Sequence, residues 1–111
     1  MPKSDFYINI FDVVRLIPKG RATSYGAIAK YLGAAKSSRV VGWAMNQSHT
    51  LEDKIPAHRV VNRLGMLSGK MHFSTPDTMQ NKLESEGIKV KNDKIQNWTS
   101  VFWDPNQELD Y

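Results

Sequence analysis

Three short helical segments, the first two stopped by proline or glycine before they can lengthen, constrain this chain more than any other feature. Phe6, Ile10, Val13, Val14 and Ile17 recur at helical spacing, and Pro18-Lys19-Gly20 ends the run. The pattern predicts a first helix over 4–17, with Ser4 as cap and Asp5 favourably placed in the first turn. A second starts at Thr23 or Ser24, whose hydroxyl can accept from an orphan amide. It passes through Ile28 and Ala29 to Leu32, and Gly33 supplies a left-handed cap. Ser37 or Ser38 opens a third through Val40, Val41, Ala44 and Met45. Short helices across a tight, glycine-containing turn predict a helix-turn-helix with the third helix as reader, although such pairs also occur in proteins that never touch DNA.

The remainder adds little regular structure. Residues 47–54 read as a polar loop. Val60-Val61 and Met66-Leu67 flank the turn Asn62-Arg63-Leu64-Gly65 and predict two short strands, the size of a wing. Thr75-Pro76-Asp77 opens a last helix that Gly87 closes after Glu86. Ile88, Val90, Ile95, Trp98, Val101, Phe102 and Trp103 follow at irregular spacing and are expected to pack back onto the core, with the final residues loosely held. The expected fold is therefore mainly α with a small β wing, a winged helix-turn-helix-like domain over residues 1–111. At 111 residues and 41% hydrophobic content one core is affordable, and no second domain or repeat is visible.

Charge is distributed unevenly. Residues 15–70 carry a net +8, whereas 1–14 sum to −1 and 71–111 to −3. A basic middle is the footprint of a polyanion partner, because neutralising phosphates releases condensed counterions. With no cysteine, a disulfide framework and a thiolate zinc site are excluded. His49, His58 and His72 share no ligand spacing with a carboxylate, so neither metal nor cofactor is expected. No apolar stretch approaches membrane-spanning length and no signal-peptide pattern opens the chain, which predicts a cytoplasmic protein.

Four linked motifs go further. Thr23 to Ala29, Ser38 to Met45, Ile55-Pro56-Ala57-His58-Arg59-Val60-Val61, and Leu83 to Gly87 occur in order. Together they resemble the O6-alkylguanine-DNA alkyltransferases, in which Pro-Cys-His-Arg presents a nucleophilic cysteine. Ala57 stands at that cysteine's position. The chain is thus similar to the alkyltransferase-like proteins, which implies a reader of O6-alkylguanine in duplex DNA rather than an enzyme.

The resemblance also implies roles. Arg39 matches the finger that fills the gap left by an extruded base, and Tyr25 matches the side chain that turns the nucleotide out. Both suit the physics, since unstacking costs a few kcal/mol and a planar guanidinium can take the base's place. Ser24 and Lys36 are expected at the DNA surface beside them. Tyr25, Met45, Pro56, Ala57, Val60, Ser68, Gly69 and Lys70 are expected to line the alkylguanine pocket, with Lys70 able to donate to the base. His58 and Glu86 match the partners of the missing thiol, a vestigial site in which catalysis has no nucleophile. Arg59 is expected to brace the loop.

The chain departs from the family in two places. Gln47-Ser48-His49 replaces an Asn-Pro turn, and Ala57 stands where many alkyltransferase-like proteins carry tryptophan. The implied partners are DNA containing O6-alkylguanine and excision-repair proteins, bound by a monomer. Three alternatives remain open at this level: a winged helix-turn-helix transcription factor, an engineered cysteine-to-alanine variant of an active transferase, and a base-excising enzyme using His58 and Glu86 on water. The short chain favours a natural reader over an engineered one.

Overall fold

The computed structural model describes residues 2–49 and 55–109. Helix α1 spans Pro2–Arg15. It starts two residues before the expected cap, so Ser4 lies inside the helix. Proline suits a first helical position because its missing N–H would be an orphan there. The side chains of Ser4 and Asp5 lie outside the described residues. At the other end α1 stops at Arg15, and Leu16 and Ile17 complete the turn through bonds to the Val13 and Val14 carbonyls. Pro18 disfavours helical geometry in the residue before it, which accounts for the early stop.

Strand β1 (Thr23–Ser24) leads directly into helix α2 (Tyr25–Tyr31). Ser24 caps α2 as expected, its hydroxyl accepting from the Ala27 amide at 3.1 Å. Helix α3 (Ser38–Ser48) begins where expected but runs on through Gln47 and Ser48, past the start of the expected polar loop. Ser48 is buried, and its hydroxyl donates to the Met45 carbonyl. Residues 50–54 of that expected loop lie outside the described residues. Helices α1, α2 and α3 pack around Ile10, Val14, Ile17, Ile28, Val41, Ala44 and Trp103.

The small β content is arranged differently from the expected wing. Val60–Val61 forms strand β2, but its partner is β1, in parallel, with Thr23 opposite Val60 and Ser24 opposite Val61. The turn after it is real: the Asn62 side chain accepts from the Leu64 and Met66 amides at 2.9 and 2.8 Å. Met66, however, makes only an isolated bridge to Lys94. The true hairpin comes later, as β3 (Val90–Lys91) and β4 (Lys94–Ile95) joined by Asn92 and Asp93. Both turn residues have positive φ, 53° and 61°, the geometry of a two-residue hairpin turn.

Helix α4 (Thr78–Ser85) lies one turn inside the expected opening, with Asp77 as its flanking residue and Gly87 just past its end. Two further helices, α5 (Trp98–Val101) and α6 (Pro105–Glu108), arise in a tail that carries no helical periodicity. The tail packs onto the core as its aromatics predicted. Arg21 donates to the Val101 and Phe102 carbonyls at 2.9 and 2.6 Å, and the Trp103 amide donates to the Ala22 carbonyl at 2.7 Å. Asn106 reaches the Ala27 carbonyl on α2 at 3.2 Å. Trp98 lies against Gly65, whose φ of +80° and lack of a side chain make room: a Cβ there would stand 3.1 Å from the indole. Among the described residues no helix is long and apolar enough to cross a membrane.

Candidate nucleic-acid interface

The two-residue parallel ladder matters because of what flanks it. Tyr25 immediately follows β1, and a 3₁₀ turn, Ala57–Arg59, immediately precedes β2. Pairing the strands therefore holds the tyrosine-bearing helix against the Pro-Ala-His-Arg segment, although they are more than thirty residues apart.

Behind that segment lies a closed polar network. His58 Nε2 is 2.7 Å from Glu86 Oε2, and Arg59 Nη2 donates to the same oxygen at 2.7 Å. Arg59 Nε donates to Glu86 Oε1 at 3.0 Å, as does the Gly20 amide at 3.1 Å. The remaining arm of Arg59 donates to the Ile17 carbonyl at 2.9 Å, so this side chain ties the loop to the end of α1 as expected. Burial alone would raise the Glu86 pKa, but the bonds from Arg59, His58 and Gly20 outweigh it and hold the carboxyl down at about 2. An ionised carboxylate only accepts, so Nε2 of His58 carries the hydrogen. Burial lowers the His58 pKa against the opposing pull of Glu86, which favours the neutral ring.

Ala57 shares this buried environment and is 5% exposed. Its methyl group, with Met45 and Val60, belongs to the hydrophobic core rather than to an open surface. Pro56 is half-buried.

The open surface is on the other side of Tyr25. A cleft of about 370 Å³ is lined by Tyr25, Ser38, Arg39, Gly42, Trp43, Asn46, Ser68, Gly69 and His72. Five of these come from one face of α3, at the i, i+3, i+4, i+7 spacing of a helical stripe, opposite the buried Val41, Ala44, Met45 and Ser48. Arg39 is exposed in the first turn of that face. Tyr25 bridges the two sides. Its phenol bonds Ser68 and its pKa is raised, chiefly by burial. Gly69 permits the approach, because a Cβ there would stand 2.8 Å from the tyrosine hydroxyl.

The cleft thus brings together Tyr25, Arg39, Ser68 and Gly69 of the expected residues, and leaves Met45, Pro56, Ala57, Val60 and Lys70 outside its lining. Lys70 is turned to the hairpin, with Nζ 2.7 Å from Asp93 Oδ2. Ser24 is 5% exposed and its hydroxyl is spent on capping α2, so it is a structural residue and not a surface contact. Lys36 is exposed between α2 and α3. Ser38, Gly42, Trp43, Asn46 and His72 were not expected. The α3 members could have been found by continuing the helical stripe from Arg39, whereas nothing local marks His72. Among the described residues no group of three or more His, Asp or Glu side chains could hold a metal ion.

Residues 5–88 match the model of the 6-O-methylguanine DNA methyltransferase DNA-binding domain. The chain belongs to that family. Within it, the chain is 36% identical over 90 residues to alkyltransferase-like protein 1 of Schizosaccharomyces pombe, covering 81% of this chain and 82% of that one. It is 40% identical over 85 residues to the DNA base-flipping protein of Vibrio parahaemolyticus, covering 77% and 82% of the two. The crystal structure of the S. pombe protein in complex with damaged DNA containing O6-carboxymethylguanine superposes with a TM-score of 0.80 at 34% identity, over 92% of this chain and 97% of that one. The chain is therefore an alkyltransferase-like member of the methyltransferase family. It carries alanine where the methyltransferases present cysteine, and has no cysteine elsewhere.

Proposed function

We propose that this protein reads damage without repairing it: it binds duplex DNA, turns an O6-alkylguanine out of the stack, holds it, and marks the site for excision repair. The observation that carries the reading is Ala57. It sits on the 3₁₀ turn stapled to Tyr25, with the His58, Arg59 and Glu86 partners assembled around a position that has no sulfur. A methyl group cannot become a thiolate, so alkyl transfer to this position is excluded by chemistry. Glu86 at a pKa of about 2 is also a poor proton acceptor, which argues against a hydrolytic use of the same pair.

In this reading Arg39 enters the stack from α3, Tyr25 displaces the nucleotide and Lys36 contacts phosphate. Tyr25, Ser68 and Gly69 line the cleft that takes the extruded base, while Met45, Ala57 and Val60 stay in the apolar core. The protein acts as a cytoplasmic monomer with no catalytic step of its own. Similarity to a protein crystallised with O6-carboxymethylguanine DNA and to base-flipping proteins supports the substrate class.

The test is equilibrium binding to two identical short duplexes at fixed salt, one with a single O6-methylguanine, followed by mass analysis of the DNA. Tighter binding to the modified duplex with its methyl group retained is the expected result. Equal binding to both would overturn the reading and leave a general basic DNA binder. Arg39→Ala is expected to weaken binding to the modified duplex by about 2 kcal/mol, the scale of an unstacked base left unfilled.

A further inference from the structure

The cleft contains a large aromatic side chain that the base-flipping roles proposed above do not use. Trp43 is 47% exposed, on the solvent side of α3, one helical turn beyond Arg39 and on the same face. A single exposed apolar side chain is ordinary on a protein surface. Trp43 differs in its setting, because it lines a concave site together with Tyr25, Arg39, Asn46, Ser68 and His72.

That setting suits a flat ligand. About 370 Å³ lies at the small end of ligand pockets and leaves ample room for one nucleobase. Asn46, Ser68 and His72 can address polar edges, but an alkylated guanine has less edge to read. Alkylation at O6 turns a carbonyl into an ether and removes the N1 hydrogen, so the base loses a donor and becomes less polar. Recognition of such a base shifts from its edge to its face, and the face requires an aromatic surface. We propose that Trp43 is a specificity-determining residue of this cleft, an aromatic platform that stacks on the extruded O6-alkylguanine.

This inference rests on the damage-reader function proposed above, and the experiment separates the two. Wild type, Trp43→Ala and Trp43→Phe are titrated with the paired duplexes, with and without O6-methylguanine, at one salt concentration, and the melting of each protein is recorded. Stacking platforms lose roughly ten- to hundredfold in affinity on truncation to alanine. Trp43→Ala should therefore lose about thirtyfold for the modified duplex and less than about threefold for the unmodified one, with Trp43→Phe between wild type and alanine. Indole emission should be quenched on adding the modified duplex to wild type, and this quench should be absent in Trp43→Phe, in which Trp98 and Trp103 remain.

Equal losses on both duplexes would make Trp43 a backbone contact and overturn the proposal, as would unchanged affinity or a quench that survives in Trp43→Phe. In each case wild-type discrimination would leave the reader function standing. If wild type itself fails to discriminate, the reader function falls and the platform falls with it. Should Trp43→Ala fail to fold, the phenylalanine variant carries both readouts.

Discussion

Glu86 and Arg39 stand on the two sides of Tyr25 in opposite circumstances. The Glu86 carboxylate is 7% exposed and receives bonds from Arg59, His58 and the Gly20 amide. The Arg39 guanidinium lies exposed along an open cleft beside an exposed indole. The contrast separates what the fold needs from what a ligand can use. A buried charge with its partners in place gains little from an incoming group and loses heavily when one partner is removed. An exposed cation loses little in the fold and is available to a polyanion. The network around Glu86 is committed to the fold, and the α3 face along the cleft is open to a ligand.

Removing Glu86 should break this contrast most. Glu86→Ala leaves the Arg59 guanidinium buried without its counter-charge and is expected to cost about 3 to 5 kcal/mol in urea unfolding. The folded fraction should still discriminate between modified and unmodified duplexes. Failure to discriminate while folded would mean that the network acts in recognition and not only in stability. The same network sets a pH dependence. The folded Glu86 pKa, about 2, lies below its ordinary value of 4.5, so the unfolded chain takes up the proton first as pH falls. Its stabilisation is present above pH 4.5 and is lost as pH drops through about 2. His58 acts in the same direction from a higher start. Its lowered pKa means that stability begins to decline below the ordinary value of 6.5. Urea midpoints across this range should fall on acidification, and Glu86→Gln should flatten the lower part of the curve.

The cleft should respond in the opposite sense. Gly69→Ala places a methyl group 2.8 Å from the Tyr25 hydroxyl, which must swing away. The φ of Gly69, −95°, is one that alanine adopts freely, so no backbone strain is added. The expected outcome is a stability change of less than about 1 kcal/mol with roughly tenfold weaker binding to the modified duplex. A large stability loss with unchanged discrimination would place Tyr25 with the structural network instead of the cleft.

What the sequence made legible follows from how local each signal is. Ser24 capping α2, Gly33 ending it and the buried stripe of α3 are decided within one or two turns, and all three appear as expected. The β1–β2 ladder was not legible, because two residues carry no periodicity and their pairing depends on chain folding between residues 24 and 60. The Arg21 bonds to the tail are equally remote. The Asn92-Asp93 turn was a readable signal obscured by its flanks, where only Val90 and Ile95 are apolar. The family motif pairs His58 with Glu86, which the structure brings to 2.7 Å, but it also draws buried Met45, Ala57 and Val60 into one pocket with Ser68 and Gly69. The structure separates them because the first three are committed to the core. The far side of the cleft, His72, depends on a 3₁₀ turn over Lys70–His72 that no local pattern announces.

The smallest expected effect concerns the brace on that turn. Lys70 and Asp93 are 31% and 45% exposed, so their 2.7 Å ion pair is screened and worth less than about 1 kcal/mol. Asp93 also has φ 61°, a conformation that asparagine adopts readily and alanine does not. The two roles can therefore be separated by substitution. Asp93→Asn removes the charge and keeps the turn, and should lower stability by only a few tenths of a kcal/mol, an effect that vanishes at high salt. Asp93→Ala removes both and should cost about 1 kcal/mol more, independent of salt. The Asp93 carbonyl also accepts from the Leu67 amide at 2.8 Å, so backbone strain at this turn passes directly to the segment that carries Ser68 and Gly69. If the alanine variant weakens binding to the modified duplex and the asparagine variant does not, the hairpin supports the cleft through its backbone. If both weaken it equally, the ion pair is the support, and the cleft depends on a surface charge that the buried network does not supply.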